Sequence, residues 1–65
     1  MRINREMVNI VMARKKMTVT ELAKVYGVSR ARINIILNSR EVTTICAGRM
    51  AAALEVDVAE ILESA

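Results

Sequence analysis

MTVTELAKVYGVSRARINIILNS, residues 17–39, holds two helix starts and a helix stop in close succession. Thr18-Val19-Thr20-Glu21 fits a capping box, in which the Thr18 hydroxyl and the Glu21 carboxylate reciprocally satisfy two orphan backbone donors. Leu22, Ala23 and Tyr26 then form an inward stripe at helical spacing. Gly27 supplies the left-handed conformation that ends a helix cheaply. Val28 follows as a buried plug and Ser29 caps the next helix. Asn38-Ser39 closes that helix, since asparagine also tolerates the left-handed conformation. Two short helices joined by a tight turn containing glycine make a helix-turn-helix, here at about residues 18–38. Ala23 is small where the two would cross closely.

Two arginines then stand in an unfavourable place. Arg30 and Arg32 lie early in the helix, at the positive end of its dipole, where basic side chains are disfavoured. At about 100° per residue, Ile33, Ile36 and Leu37 cluster on the buried face. Ala31, Asn34, Ile35 and Asn38 lie opposite, with Arg30 and Arg32 on the flanks. An apolar residue on that face and arginines at that end fit a helix entering a major groove between phosphate walls. There, small and apolar groups meet thymine methyls, asparagine pairs with adenine, and arginine meets guanine or phosphate.

The rest of the chain supplies three more helices. Met7, Val8, Ile10 and Val11, with Ala13 as a further candidate, recur at helical spacing over about Asn4 to Lys16. Arg14, Lys15 and Lys16 close that helix, where they complement its dipole and can also meet phosphates. A fourth helix is capped by Thr43 or Thr44 and runs through about Leu54, with Ala47, Met50, Ala51 and Leu54 inward. Asp57-Val58-Ala59-Glu60 is a second cap signature, and Ile61 and Leu62 finish the core. AGRMAAAL, residues 47–54, reads as close helix packing, and Cys46 as a small packing residue.

The central stretch resembles the helix-turn-helix of the lambda-repressor-like family, also called the Cro/cI or XRE type. Thr18, Glu21, Leu22, Ala23, Gly27, Val28, Ser29, Ile33 and Ile36 carry the likeness. AGRMAAALEVDVAEIL, residues 47–62, is similar to that family's last two helices. The resemblance implies an all-α, compact five-helix lambda-repressor-like DNA-binding domain. Three positions depart from the pattern. Val19 stands where a phosphate-binding glutamine is common, leaving the backbone amides of the helix N-terminus for that contact. Met12 and Leu37 stand where the family often has an arginine–glutamate pair, so an apolar contact is expected instead. Glu55 stands where glycine usually follows Leu54.

Composition narrows the function classes. A chain of 65 residues makes one small domain, and one so small needs disulfides, a metal or efficient packing. With one cysteine and no histidine, neither a disulfide framework nor a zinc site can be built, and no cofactor is expected. No nucleophile–base–orienter set is spaced to converge, so no enzyme is expected. No secretory signal or membrane-length apolar run is evident, and a cytoplasmic domain is expected. Residues 1–40 hold nine of the ten basic residues against Glu6 and Glu21, a net of +7. Residues 41–65 hold Arg49 against five acids, a net of −4. Such a polarised chain meets a polyanion with one end.

The expected function is therefore a sequence-specific double-stranded DNA-binding regulator, a repressor of the phage or mobile-element type acting on an operator. The base-contact candidates are Arg30, Ala31, Asn34 and Ile35. The phosphate-contact candidates are Arg14, Lys15, Lys16, Thr18, Arg32, Asn38, Arg40 and Thr43. Because the length leaves no room for a separate dimerisation domain, a weak homodimer strengthened on DNA is expected through Val56, Val58 and Ile61. The competing reading is a helical protein-interaction module, such as an antitoxin or a regulator's partner, that keeps the fold without binding DNA. Salt-dependent binding to duplex DNA separates the two.

Overall fold

The computed structural model describes residues 1–63, which form five helices: α1 Arg5–Lys15, α2 Val19–Tyr26, α3 Arg30–Asn38, α4 Thr44–Leu54 and α5 Val58–Ile61. Each begins at a side-chain cap, and all but that at Asn4 stand where the residues placed them. Asn4 Oδ1 accepts from the Met7 amide (3.1 Å), Ser29 Oγ from Arg32 (3.1 Å) and Asp57 Oδ1 from Ala59 (2.9 Å). The Thr18–Glu21 capping box is complete, with both backbone bonds present at 3.0 and 3.1 Å. Thr43 rather than Thr44 caps α4, its Oγ1 accepting from the Cys46 amide at 3.1 Å.

The helix ends differ more from expectation. Gly27 is left-handed (φ 93°) and ends α2 as its sequence requires. At the end of α3 the chain is extended instead, with Ser39 at φ −68°, ψ 139°, and its hydroxyl donates to the Ile35 carbonyl at 3.0 Å. Asn38 is therefore free of any role as a left-handed cap. Two non-glycine residues are left-handed, Lys16 (φ 55°) and Glu55 (φ 58°). The chain turns at the end of α4 without the usual glycine, because Glu55 itself adopts the left-handed conformation. Val56 then donates to Ala51 O at 3.0 Å, a bond that closes the end of α4.

Ile3, Val8, Val11, Met12, Leu22, Ala23, Tyr26, Ile33, Ile36, Leu37, Met50, Ala51, Ala53, Leu54 and Ile61 form a single buried core. Met12 and Leu37 both belong to it, as an apolar substitute for the ion pair requires. Ile10 and Ala13, expected on the inner stripe of α1, are exposed, and Val28 is only half-buried. Ile61 is fully buried, so its candidacy as a dimer contact is withdrawn. Leu62 is half-buried and pairs with Ile3 in an isolated antiparallel bridge. That bridge belongs to a seam the sequence did not signal. Asn4 donates to Ile61 O (2.7 Å), Glu63 to Arg2 O (2.9 Å) and Val42 to Met1 O (2.7 Å), so the first residues bind both the chain's last described segment and the α3–α4 loop.

The alanines of α4 pack as expected, with Ala47, Ala51 and Ala53 buried. Gly48 does not share that role: it is exposed, and a Cβ built there meets nothing within 4 Å. Glycine inside a helix costs about 0.8–1.0 kcal/mol against alanine. Gly48→Ala is thus expected to stabilise the fold by roughly that amount and to raise the thermal midpoint by several degrees. An unchanged or lower midpoint by circular dichroism would show that helix propensity at this position does not limit stability.

Candidate nucleic-acid interface

The exposed face of α3 carries Arg30, Ala31, Arg32 and Ile35. Ser29 as the helix cap and Gly27 as the turn fix where this helix starts, while Ile33, Ile36 and Leu37 press its other face into the core. Ile35 is 56% exposed, which leaves a large aliphatic group in water in the middle of a basic surface. Arg32 and Ile35 line a shallow depression with Ser39, Glu41, Val42 and Thr43, between α3 and the start of α4. Two expected phosphate contacts, Arg32 and Thr43, are thereby brought to one place.

The α2–α3 turn is held rigidly from behind. Arg49, on α4, donates from Nη2 to the Tyr26 carbonyl (3.1 Å), one of the oxygens a helix end leaves unpaired. Its guanidinium carbon also lies 4.5 Å from the centroid of the Tyr26 ring, a cation–π distance. The Tyr26 hydroxyl donates to Cys46 Sγ at 3.4 Å, which gives the half-buried cysteine a packing role. Burial raises the Tyr26 pKa above its ordinary 10.0 and the bond to Cys46 adds to the rise, with Arg49 and Arg32 opposing it. Arg49 was not singled out by the sequence, because nothing in the spacing of residues 26 and 49 reveals that they meet.

Charge is distributed differently in space than along the chain. Arg14 pairs with Glu60 (2.7 Å), Lys15 with Glu55 (3.7 Å) and Arg2 with Glu63 (2.8 Å). Arg14 and Lys15, expected at phosphates, line a depression with Val56, Asp57 and their two carboxylate partners, at the acidic end of the molecule. Glu60 consequently does not complete the cap of α5. Seven basic side chains have no carboxylate partner among the described residues; Arg5 and Arg49 donate to neutral oxygens within the chain, which leaves Lys16, Lys24, Arg30, Arg32 and Arg40 without either kind of partner. All five lie between residues 16 and 40, on the helix-turn-helix and its two flanks.

Three other candidates are engaged in ways the wheel did not show. The Thr18 hydroxyl accepts from the Glu21 amide and donates to Glu21 Oε1 (3.1 Å), so the N-terminus of α2 offers backbone amides, not this side chain. Asn34 is half-buried, and its Oδ1 accepts from Arg5 Nη2 at 3.3 Å. Asn38 Oδ1 accepts from Arg5 Nη1 at 2.9 Å. The two asparagines therefore sit on the flank of α3 nearest α1, not directly opposite the core. Arg5 was overlooked, although as the first residue of α1 it carries the same anomaly as Arg30: a positive charge at a positive helix end.

A family model described as the Cro/C1-type HTH DNA-binding domain matches residues 7–64. The chain belongs to this family. Comparison with curated proteins and with solved structures finds no match. As a Cro/C1-type domain the chain is a DNA-binding module, and its five helices with the helix-turn-helix at α2–α3 agree with that fold. None of the helices among the described residues is long and apolar enough to cross a membrane. The match starts within α1, two residues beyond Arg5, and runs to the end of the described chain.

Proposed function

We propose that this Cro/C1-type domain is a repressor of the phage or mobile-element type, which occupies an operator by laying α3 in the major groove. The observation that carries this reading is the exposed face of α3. Arg30, Ala31, Arg32 and Ile35 lack an internal role there, while the basic residues around them have no carboxylate partners among the described residues. Arg30, Ala31, Asn34 and Ile35 contact base edges in this arrangement. Lys16, Arg32, Asn38, Arg40 and Thr43, with the first amides of α2, contact phosphates. Arg14 and Lys15 are left to a minor, long-range part, since each already faces a carboxylate.

Selection of binding sites from a randomised duplex library tests this directly. A single preferred half-site is expected, with affinity falling steeply as salt rises. Arg30→Ala is expected to lose about 1–3 kcal/mol on that site and to relax the preference at one base position. Lys16→Ala or Arg40→Ala is expected to weaken all sequences alike and to lower the salt slope by about one. Arg14→Ala is expected to change little. If Arg30→Ala left both affinity and preference intact, α3 would not be the reading helix, and the protein-interaction alternative would gain.

A further inference from the structure

We infer that Arg5 is a positioning residue for base recognition: by holding Oδ1 of Asn34 and of Asn38, it turns both amide nitrogens outward and makes Asn34 a reader of carbonyl acceptors. The inference rests on the groove reading above. A guanidinium has donors and no acceptor, so an amide facing it must present its oxygen. Arg5 forks to two such oxygens one helical turn apart, 3.3 Å to Asn34 and 2.9 Å to Asn38. Neither amide nitrogen has a partner among the described residues, and none of their buried side-chain nitrogens or oxygens lacks one. The Nδ2 of half-buried Asn34 is therefore open to solvent, on the helix that carries the base contacts.

An unrestrained asparagine in the major groove pairs with adenine, accepting from N6 and donating to N7. With its oxygen turned toward α1, Asn34 keeps the donor half of that pairing. Guanine, with acceptors at both N7 and O6, and thymine O4 accept from it unopposed, whereas adenine sets its N6 donor beside its single N7 acceptor and cytosine presents a donor alone. Arg5 itself has no carboxylate partner among the described residues, and its charge sits at the unfavourable end of α1. Its place is explained by the two amides that it orients. Arg5 lies two residues before the stretch matched by the family model.

The test is the same randomised-duplex selection, read position by position. The unmodified protein is expected to prefer guanine or thymine over adenine and cytosine at one position by about three- to tenfold, the worth of one hydrogen bond. Asn34→Ala is expected to flatten that position. Arg5→Leu, which releases the amide, is expected to move the preference there to adenine, and to have no effect on it when combined with Asn34→Ala. Arg5→Lys, which can still donate to an amide oxygen, is expected to retain part of the original preference. Circular dichroism of each variant checks the fold, and Arg5→Met replaces Arg5→Leu if that variant is unfolded. Adenine preferred by the unmodified protein at the Asn34 position would overturn the inference. So would an Arg5→Leu variant that loses affinity for every sequence equally with its preferences unchanged. If Arg30→Ala relaxes a base position and Asn34→Ala relaxes none, the groove reading stands and only the role of Arg5 fails. If neither does, the groove reading fails with it.

Discussion

Met12→Ala or Leu37→Ala is expected to lower stability by about 2–5 kcal/mol, the range for deleting a large buried aliphatic side chain. Met12 is 7% exposed and Leu37 3%, both in the single core that α1 and α3 share. A domain of this size has about 3–10 kcal/mol in all, so either truncation removes much of it. Urea unfolding followed at 222 nm measures the loss. The double variant adds a sharper reading. If the two side chains are in contact, their effects differ from additivity by about 0.5–3 kcal/mol; if they merely share the core, they add. Leu37→Glu is expected to unfold the chain outright by burying an unpaired charge, and Met12→Arg in the same chain to restore part of the loss. Failure of that rescue would mean that the two positions are not neighbours, and that the apolar pair does not stand in for the family's ion pair.

The parts of the fold legible beforehand are those determined by residues close together in the chain. The Thr18–Glu21 box, Gly27, the Ser29 cap and the Thr43 cap each depend on atoms within four residues of one another. The inward stripes of α2, α3 and α4 follow from the 3.6-residue period in the same way. What escaped was set across the fold. Ile3 is buried because the N-terminal residues bond to Ile61 and Glu63, at the other end of the chain. Glu60 was read as part of a local cap, but Arg14, 46 residues away, takes its carboxylate. Arg5 was invisible as a partner of Asn34 and Asn38, because a wheel drawn for α3 alone cannot show which flank α1 will cover.

The same redistribution bears on the base-contact candidates. Arg30, Ala31 and Ile35 remain as the helical wheel placed them, in solvent and without internal partners. Asn34 lies on the flank instead, half-buried and with its oxygen held by Arg5, so that it offers a donor there and not a two-sided reader. Residue type and period thus located the exposed residues of α3, while the partners of the two asparagines on its flank depended on a side chain from another helix.

Val58→Asp is expected to abolish cooperative binding to a palindromic operator while leaving the domain folded and able to bind one half-site. One helix-turn-helix contacts only a few base pairs, so the proposed repressor would gain specific affinity from two half-sites about one helical turn apart. Ile61 is buried within the chain, which leaves Val56 and Val58, both half-buried against the core, as the apolar part of a contact between copies. Glu55, Asp57 and Glu60 rim those valines, and unpaired they would repel across a two-fold contact. The structure balances much of that rim, since Glu60 faces Arg14 and Glu55 faces Lys15. Weak association in solution then follows chiefly from the small apolar area, and it should depend little on salt. An aspartate at position 58 would be the first residue of α5, where a carboxylate is tolerated at a helix start. On a two-fold operator, however, each copy would bring a new charge to the other, and like charges placed together cost several kcal/mol. Titration of duplexes carrying one or two half-sites separates the effects. The half-site affinity should stay within about threefold, by the usual tolerance of distant sites, while the gain from the second half-site disappears. Undiminished cooperativity in Val58→Asp would move the contact to another face. Independent binding of two half-sites by the unmodified protein would remove the dimer altogether.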